Sequence, residues 1–276
     1  MIKFSILISL FLISIGYTHG QANYDTLRKY SYFIIGFKNV GDDKLAPGSG
    51  TGYFLRKEND LFFITAKHVI CPCDYKDTCK PSIKREQYPD LMEIYLSQKN
   101  GMFNYKSIPL YIKPYRDTCK CIWPPIHPDL ISYKVSSSFT DTVYTLDKFL
   151  NMPLPDKKGS ISIHGYPANE YTVQGSFREQ NSSHLFIDNY KFFDNYKYKN
   201  CEGSYSIDKQ DYIVSTNDIE IDKTFGYSGS PVFIFDRKIR QWVFIGTFTA
   251  TVEDGKMQII KPDFSIAAIS DAVNMK

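Results

Sequence analysis

The sequence lacks most of the features that mark a nucleic-acid, metal or multi-spanning membrane protein. It has no basic tract: 33 Lys and Arg against 30 Asp and Glu leave a net charge of only +3 over 276 residues. A phosphate backbone is recognised by clustered positive charge, so no nucleic-acid partner is expected. Beyond residue 20 no stretch reaches the run of about 20 apolar residues that a spanning helix needs, so no stable membrane insertion is expected from the rest of the chain. The cysteines occur as Cys-x-Cys ("CPC", "CKC") and never as Cys-x-x-Cys, a spacing that argues against a zinc site. Internal repeats and low-complexity segments are missing, which excludes a repeat array. Helical periodicity is absent until the last residues.

What is present points to strands. Aromatic residues make up 16%, supplied almost wholly by 21 Tyr and 20 Phe, and they favour pleated structure over helix. Hydrophobic residues at 43% and charged residues at 23% are a globular balance. The length suits one large domain or two small ones. Short apolar runs recur between Gly, Pro, Asn and Asp punctuation: "SYFIIGFK", "GTGYFLR", "LFFITA", "MEIYL", "ISYKV", "SISIHGY", "YIVS", "PVFIF" and "WVFIGTFTA". Such spacing predicts an all-β barrel or sandwich. In the tail, "DFSIAAISDAVNMK", Ile266, Ile269 and Val273 stand three and four apart and predict one short helix. The loop "LPDKKGS" divides the strands into two groups of similar size.

The first residues, "MIKFSILISLFLISIGYTHG", place Lys3 before an apolar or small-residue run over 4–15 and end on Thr18 and Gly20. This is the pattern of a cleaved signal peptide over 1–20, and it predicts a secreted or periplasmic protein. Disulfides persist after export, so Cys71, Cys73, Cys79, Cys119, Cys121 and Cys201 are expected to form three. Their connectivity stays open among 15 arrangements.

The stretch "TFGYSGSPVFIF" sets Ser228 between Tyr227 and Gly229, ahead of an apolar run. A serine hydroxyl is a weak nucleophile unless an imidazole, itself oriented by a carboxylate, takes its proton. Of the five histidines, His19 leaves with the leader, His127 precedes a proline, His164 sits in an apolar strand and His184 in a polar loop. His68, in "LFFITAKHVI", stands where a strand ends, the position from which a rigid scaffold presents reactive groups. Asp129, in "HPDLISYKV", is the first candidate carboxylate; Asp141 is the second, and Asp90 occupies a similar "PDL" triplet. Ser230 competes with Ser228 but is followed directly by Pro231. A Gly-x-Ser-x-Gly elbow is excluded, because position 230 is Ser and a strand follows instead of a helix.

Taken together, "GSGTGYF", "FFITAKHVI", "HPDLISYKV" and "GYSGSPVF" resemble the His, Asp and Ser blocks of chymotrypsin-fold serine peptidases, closest to the bacterial trypsin-like and HtrA-type enzymes. The order His, Asp, Ser is that of this fold. The resemblance implies two packed antiparallel six-stranded β-barrels, the first over about 30–135 and the second over about 158–264, with a C-terminal helix over 265–274 in a peptidase domain of 21–276. It implies His68 as general base, Asp129 as its orienting carboxylate and Ser228 as nucleophile, with Gly226 and Ser228 N–H groups as the oxyanion hole. It implies hydrolysis of a protein or peptide substrate with no metal or cofactor.

Two departures from the digestive branch stand out. Tyr227 replaces the Asp that there precedes the nucleophile, and no Ile-Val-Gly-Gly start follows the leader. Asp222 lies six residues before Ser228, where trypsins carry the acid of the primary pocket, but Lys223 adjoins it. Thr247 and Phe248, in "IGTFTA", are expected to line the pocket and pair with an extended substrate. The insertions at 71–89 and "NYKFFDNYKYKNCEGSY" are read as solvated loops, the second pinned by Cys201. Asn181-Ser182-Ser183 is a glycosylation sequon. The rival reading is a catalytically silent relative that binds peptides or partner proteins in the cleft.

Overall fold

A computed structural model describes residues 24–40, 43–70, 91–97, 103–111, 129–139, 143–153, 155, 158–167, 173–179, 185–192, 196–207, 211–215, 226–251 and 256–274. The leader, the sequon, five of the six cysteines, Asp90, Asp141, Asp222, Lys223, His127 and His184 lie outside these residues. No described helix is long and apolar enough to cross a membrane.

The chain is all-β with one longer helix at its end. The first sheet contains β1 (Tyr32–Val40), β2 (Asp43–Lys57), β3 (Asp60–Ala66), β4 (Leu91–Ser97), β5 (Phe103–Tyr111) and β6 (Leu130–Val135), in the order β5-β4-β1-β2-β3-β6. It curls into a half-barrel, and among the described residues its end strands do not pair. The second sheet contains β7 (Lys158–Gly165), β10 (Lys197–Ile207), β11 (Asp211–Ser215), β12 (Pro231–Asp236), β13 (Gln241–Thr251) and β14 (Met257–Ile260), and it closes into a six-stranded antiparallel barrel. Together they form the chymotrypsin-like double-barrel arrangement.

One hairpin departs from chain order. Strands β8 (Val173–Glu179) and β9 (Leu185–Phe192) fall within the second stretch of sequence, yet β9 joins the first sheet by pairing Phe186 with Leu45 of β2. The aromatic-basic stretch expected as a loop is therefore built into β9 and β10, and Cys201 is buried in the second barrel, its thiol facing Ile161 O at 3.8 Å.

Several strands read as continuous apolar runs because both faces are covered. On β2 and β3, Phe54, Leu61 and Phe63 point into the first barrel, while Tyr53, Leu55, Phe62 and Ile64 point the other way. The second set joins Phe233, Trp242, Phe244 and Ile260 of the second barrel in a shared layer. Alternation at period two thus feeds two cores at once. Among the short helical turns, Lys67–Ile70 is α1 and Asp147–Leu150 is α2; the terminal helix α3 runs Pro262–Asn274. It starts earlier than the periodicity suggests, with Pro262 in the first position, where a missing N–H costs nothing. Ile269 is buried in the shared layer, whereas Ile266 is 41% exposed. Hydroxyl bonds fasten α3: Tyr53 Oη lies 2.7 Å from both Ser265 Oγ and Thr247 Oγ1, and Ser132 Oγ–H donates to Ala268 O at 2.7 Å.

His164 is structural, as its apolar strand suggests. It is fully buried, with Nε2 2.8 Å from Ser162 Oγ and Nδ1 hydrogen-bonded to the Tyr196 hydroxyl. Burial disfavours the imidazolium and pushes its pKa down to about 3. The unfolded chain takes up this proton near the ordinary pKa of about 6.5, the folded chain only near 3, so the contribution is complete above 6.5 and is lost as pH falls through that window. Stability should fall by up to about 1.4 kcal/mol per pH unit from this one group. Urea melts at pH 7 and 4.5 check it: His164→Gln should shallow the loss relative to wild type, and equal slopes would exclude His164 as its source.

Candidate active site

The His block owes its geometry to the β3–β6 ladder. Antiparallel register pairs Ala66 with Leu130, so the next positions outward, Lys67 and Asp129, face one another. There β3 stops and α1 begins, with Val69 and Ile70 buried and His68 left at the edge. First-turn N–H groups have no intrahelical acceptor. Asp129 supplies two: Lys67 N–H donates to Asp129 O at 3.2 Å and His68 N–H to Asp129 Oδ1 at 3.1 Å. The other carboxylate oxygen, Oδ2, lies 2.5 Å from His68 Nδ1. One carboxylate therefore grips one histidine by both backbone and ring. Their side chains are 20% and 13% exposed, so the pair is sheltered but reachable. A carboxylate only accepts, which places the proton on Nδ1 and makes Nε2 the basic nitrogen of the neutral ring.

The Ser block is a tight turn over 226–230. Ser230 N–H donates to Tyr227 O at 2.8 Å, closing a four-residue turn. Gly229, third in that turn, has φ +87°, the value that a type II turn requires there and that glycine adopts freely. Ser228 takes the second position and is half-buried, whereas Ser230 is fully buried, which separates the two candidate nucleophiles. Gly226 also has positive φ, +85°. Every carbonyl from 226 to 228 is occupied: Gly226 O accepts from Thr51 Oγ1, Tyr227 O from Ser230 N–H and Ser228 O from Thr51 N–H. Among the described residues, the N–H groups of Gly226 and Ser228 have no acceptor. Two adjacent unpaired donors beside a hydroxyl can receive a developing oxyanion. Beneath them Tyr227 is buried in the second barrel's core, and burial raises its phenol pKa.

The two blocks adjoin. A Cβ added to Gly50 would stand 2.7 Å from Val69 Cγ2 and 3.1 Å from Ser228 O, and one on Gly229 would stand 2.9 Å from Ala66 N. Gly50 thus lies between the turn bearing His68 and the turn bearing Ser228. Ser228 Oγ lies 3.5 Å from Thr249 O and makes no hydrogen bond with His68.

The side chains of Thr247 and Phe248 pack inward. Thr247 is fully buried on Tyr53, and Phe248 is in the second barrel's core with its N–H on Ser230 O and its O on Gly229 N–H. The residue that faces Ser228 is Thr249, one position beyond. On β13 the register with β14 shifts between Phe248, paired with Ile259, and Ala250, paired with Gln258. Thr249 is the extra residue of this bulge, and bulges re-aim a residue out of the ladder. Its hydroxyl is buried with no hydrogen-bond partner.

No family model matches the chain, and no curated protein matches it. Solved structures do. One, described as "Crystal structure of Rv3671c protease, inactive form", is 9% identical, with 90% of this chain and 91% of that chain covered at a TM-score of 0.45. Another, titled for aromatic interactions that drive coupled folding and binding of the disordered Sesbania mosaic virus VPg protein, is 12% identical, with 84% and 86% covered at a TM-score of 0.35.

Proposed function

We propose that the chain is an exported serine endopeptidase, cleaved from its leader after residue 20 and acting in a secreted or periplasmic setting where its cysteines form disulfides. One observation carries the reading: Asp129 holds His68 through Nδ1 and through the backbone N–H, beside a turn that carries the half-buried Ser228 and two unpaired N–H groups. In this mechanism Ser228 Oγ forms a bond to the scissile carbonyl carbon as its proton passes to His68 Nε2. The carbonyl oxygen takes the electron pair and lies against Gly226 and Ser228 N–H. Collapse breaks the C–N bond, the amine leaves with the proton from His68, and water hydrolyses the acyl-enzyme by the same steps. The chemistry requires no metal or cofactor, and Asp222 would confer a preference for Lys or Arg.

A second reading, a silent relative that binds peptides in the cleft, is favoured by the Ser228 Oγ contact with Thr249 O instead of His68. Catalytic hydrogen bonds commonly tighten only on substrate binding, so this contact is compatible with the first reading. Fluorophosphonate labelling separates the two. Wild type should label, and Ser228→Ala and His68→Ala should not; a folded wild type that stays unlabelled leaves the binding reading.

A further inference from the structure

We propose that Thr51, on β2 of the first sheet, is a positioning residue that sets the oxyanion hole of the second barrel; this rests on the peptidase reading above. Gly226 is free to adopt either sign of φ at similar cost, so nothing in its own chemistry keeps it at +85°. The peptide that follows it is held from the opposite sheet: Thr51 Oγ1–H donates to Gly226 O at 2.9 Å, across 175 residues of chain. The hydroxyl has one proton to give, and its direction is determined by what it accepts. Tyr166 N–H donates to Thr51 Oγ1 at 3.0 Å, which leaves the proton for Gly226 O.

Thr51 holds the other side of the nucleophile as well. Its N–H donates to Ser228 O at 3.0 Å, while Gly229 N–H donates to Phe248 O at 2.8 Å, so the peptide after Ser228 is tied at both ends. Thr51 itself does not drift, because it is fully buried and its carbonyl accepts from Thr65 Oγ1 at 2.6 Å. The peptides on either side of the one that carries the Ser228 N–H are thus both held by one residue of the other sheet. Without the hydroxyl, the peptide linking 226 to 227 can rotate, and the next peptide, which carries the Ser228 N–H, loses its fixed direction toward the reacting oxygen.

Thr51→Val keeps shape and removes the hydroxyl; Thr51→Ser keeps the hydroxyl. At a temperature where all forms are folded, Thr51→Val should lower kcat about 100-fold, the scale of losing one oxyanion donor, with KM within about two-fold. The pH midpoint of kcat should not move, because His68 and Asp129 are untouched. Thr51→Ser should stay within about three-fold of wild type. A crystal structure of Thr51→Val should show the Gly226–Tyr227 peptide rotated. A role confined to stability would lower Tm while kcat per folded molecule held, and that result, or Thr51→Ser as impaired as Thr51→Val, overturns the assignment. If folded wild type neither labels nor cleaves, the peptidase reading falls. The orientation of the Gly226–Tyr227 peptide in Thr51→Val still decides whether Thr51 holds the turn, and an unchanged orientation overturns it.

Discussion

Asp129→Asn should cost about 10⁴-fold in kcat on a cleaved peptide while the protein melts close to wild type. The argument is one of donor and acceptor matching. His68 N–H has only a proton to offer, and it points at Asp129 Oδ1 from 3.1 Å. An asparagine must therefore present its oxygen there, since turning the amide round would set two donors face to face. Its NH₂ then lies where Oδ2 now sits, 2.5 Å from His68 Nδ1, and donates into the ring. Nδ1 becomes the acceptor, the ring proton moves to Nε2, and the lone pair that would take the serine proton is gone. The backbone clamp survives, which is why stability should change little. Steady-state kinetics with thermal melts check this, and a variant within ten-fold of wild-type kcat would remove Asp129 from the mechanism.

The largest stability effect is expected at Gly229. Alanine there would set its Cβ 2.0 Å from Thr51 O, 2.4 Å from Thr65 Oγ1 and 2.9 Å from Ala66 N. Two of these are backbone atoms of β2 and β3, and none is the end of a flexible side chain that could swing aside. The φ of +87° adds about 1–2 kcal/mol for any residue with a Cβ. Relief requires the nucleophile turn to retreat from the first sheet, which breaks its bonds to Thr51. Gly229→Ala should therefore exceed about 4 kcal/mol of destabilisation, roughly 10 °C or more in Tm for a chain of this size, with activity lost in whatever remains folded. Gly159→Ala is the control, because its Cβ would meet Ile234 at an ordinary 3.5 Å. Calorimetry on the pair tests the claim, and equal, small shifts would refute it.

The nine strands legible in the sequence are those with a dense or alternating apolar pattern, such as "LFFITA" in β3 and "PVFIF" in β12. The others, β5, β8, β9, β10 and β14, are short or mix charged and small residues, as in "KYKNCEGSYSI" of β10 and "VQGSFRE" of β8. Their place comes from backbone pairing with neighbours, which composition does not record. The same division holds at the site. His68, Asp129 and Ser228 stood out because strand ends and glycine-flanked turns are local features. Thr249 did not, because the extra residue of a bulge exists only relative to the partner strand.

By itself, then, the sequence determined the strand-rich class, the glycines at 226 and 229 and the chain order of the three candidate groups. All of these follow from the conformational preferences of residues close in sequence. Only the tertiary structure decided that Asp129 reaches both ends of His68, that β9 returns to the first sheet, that Thr249 instead of Thr247 or Phe248 faces Ser228, and that Thr51 holds Gly226 from the opposite sheet. Each of these depends on register between segments far apart in the chain. A shift of one residue in any such pairing turns every side chain to the other face without altering a letter of the sequence.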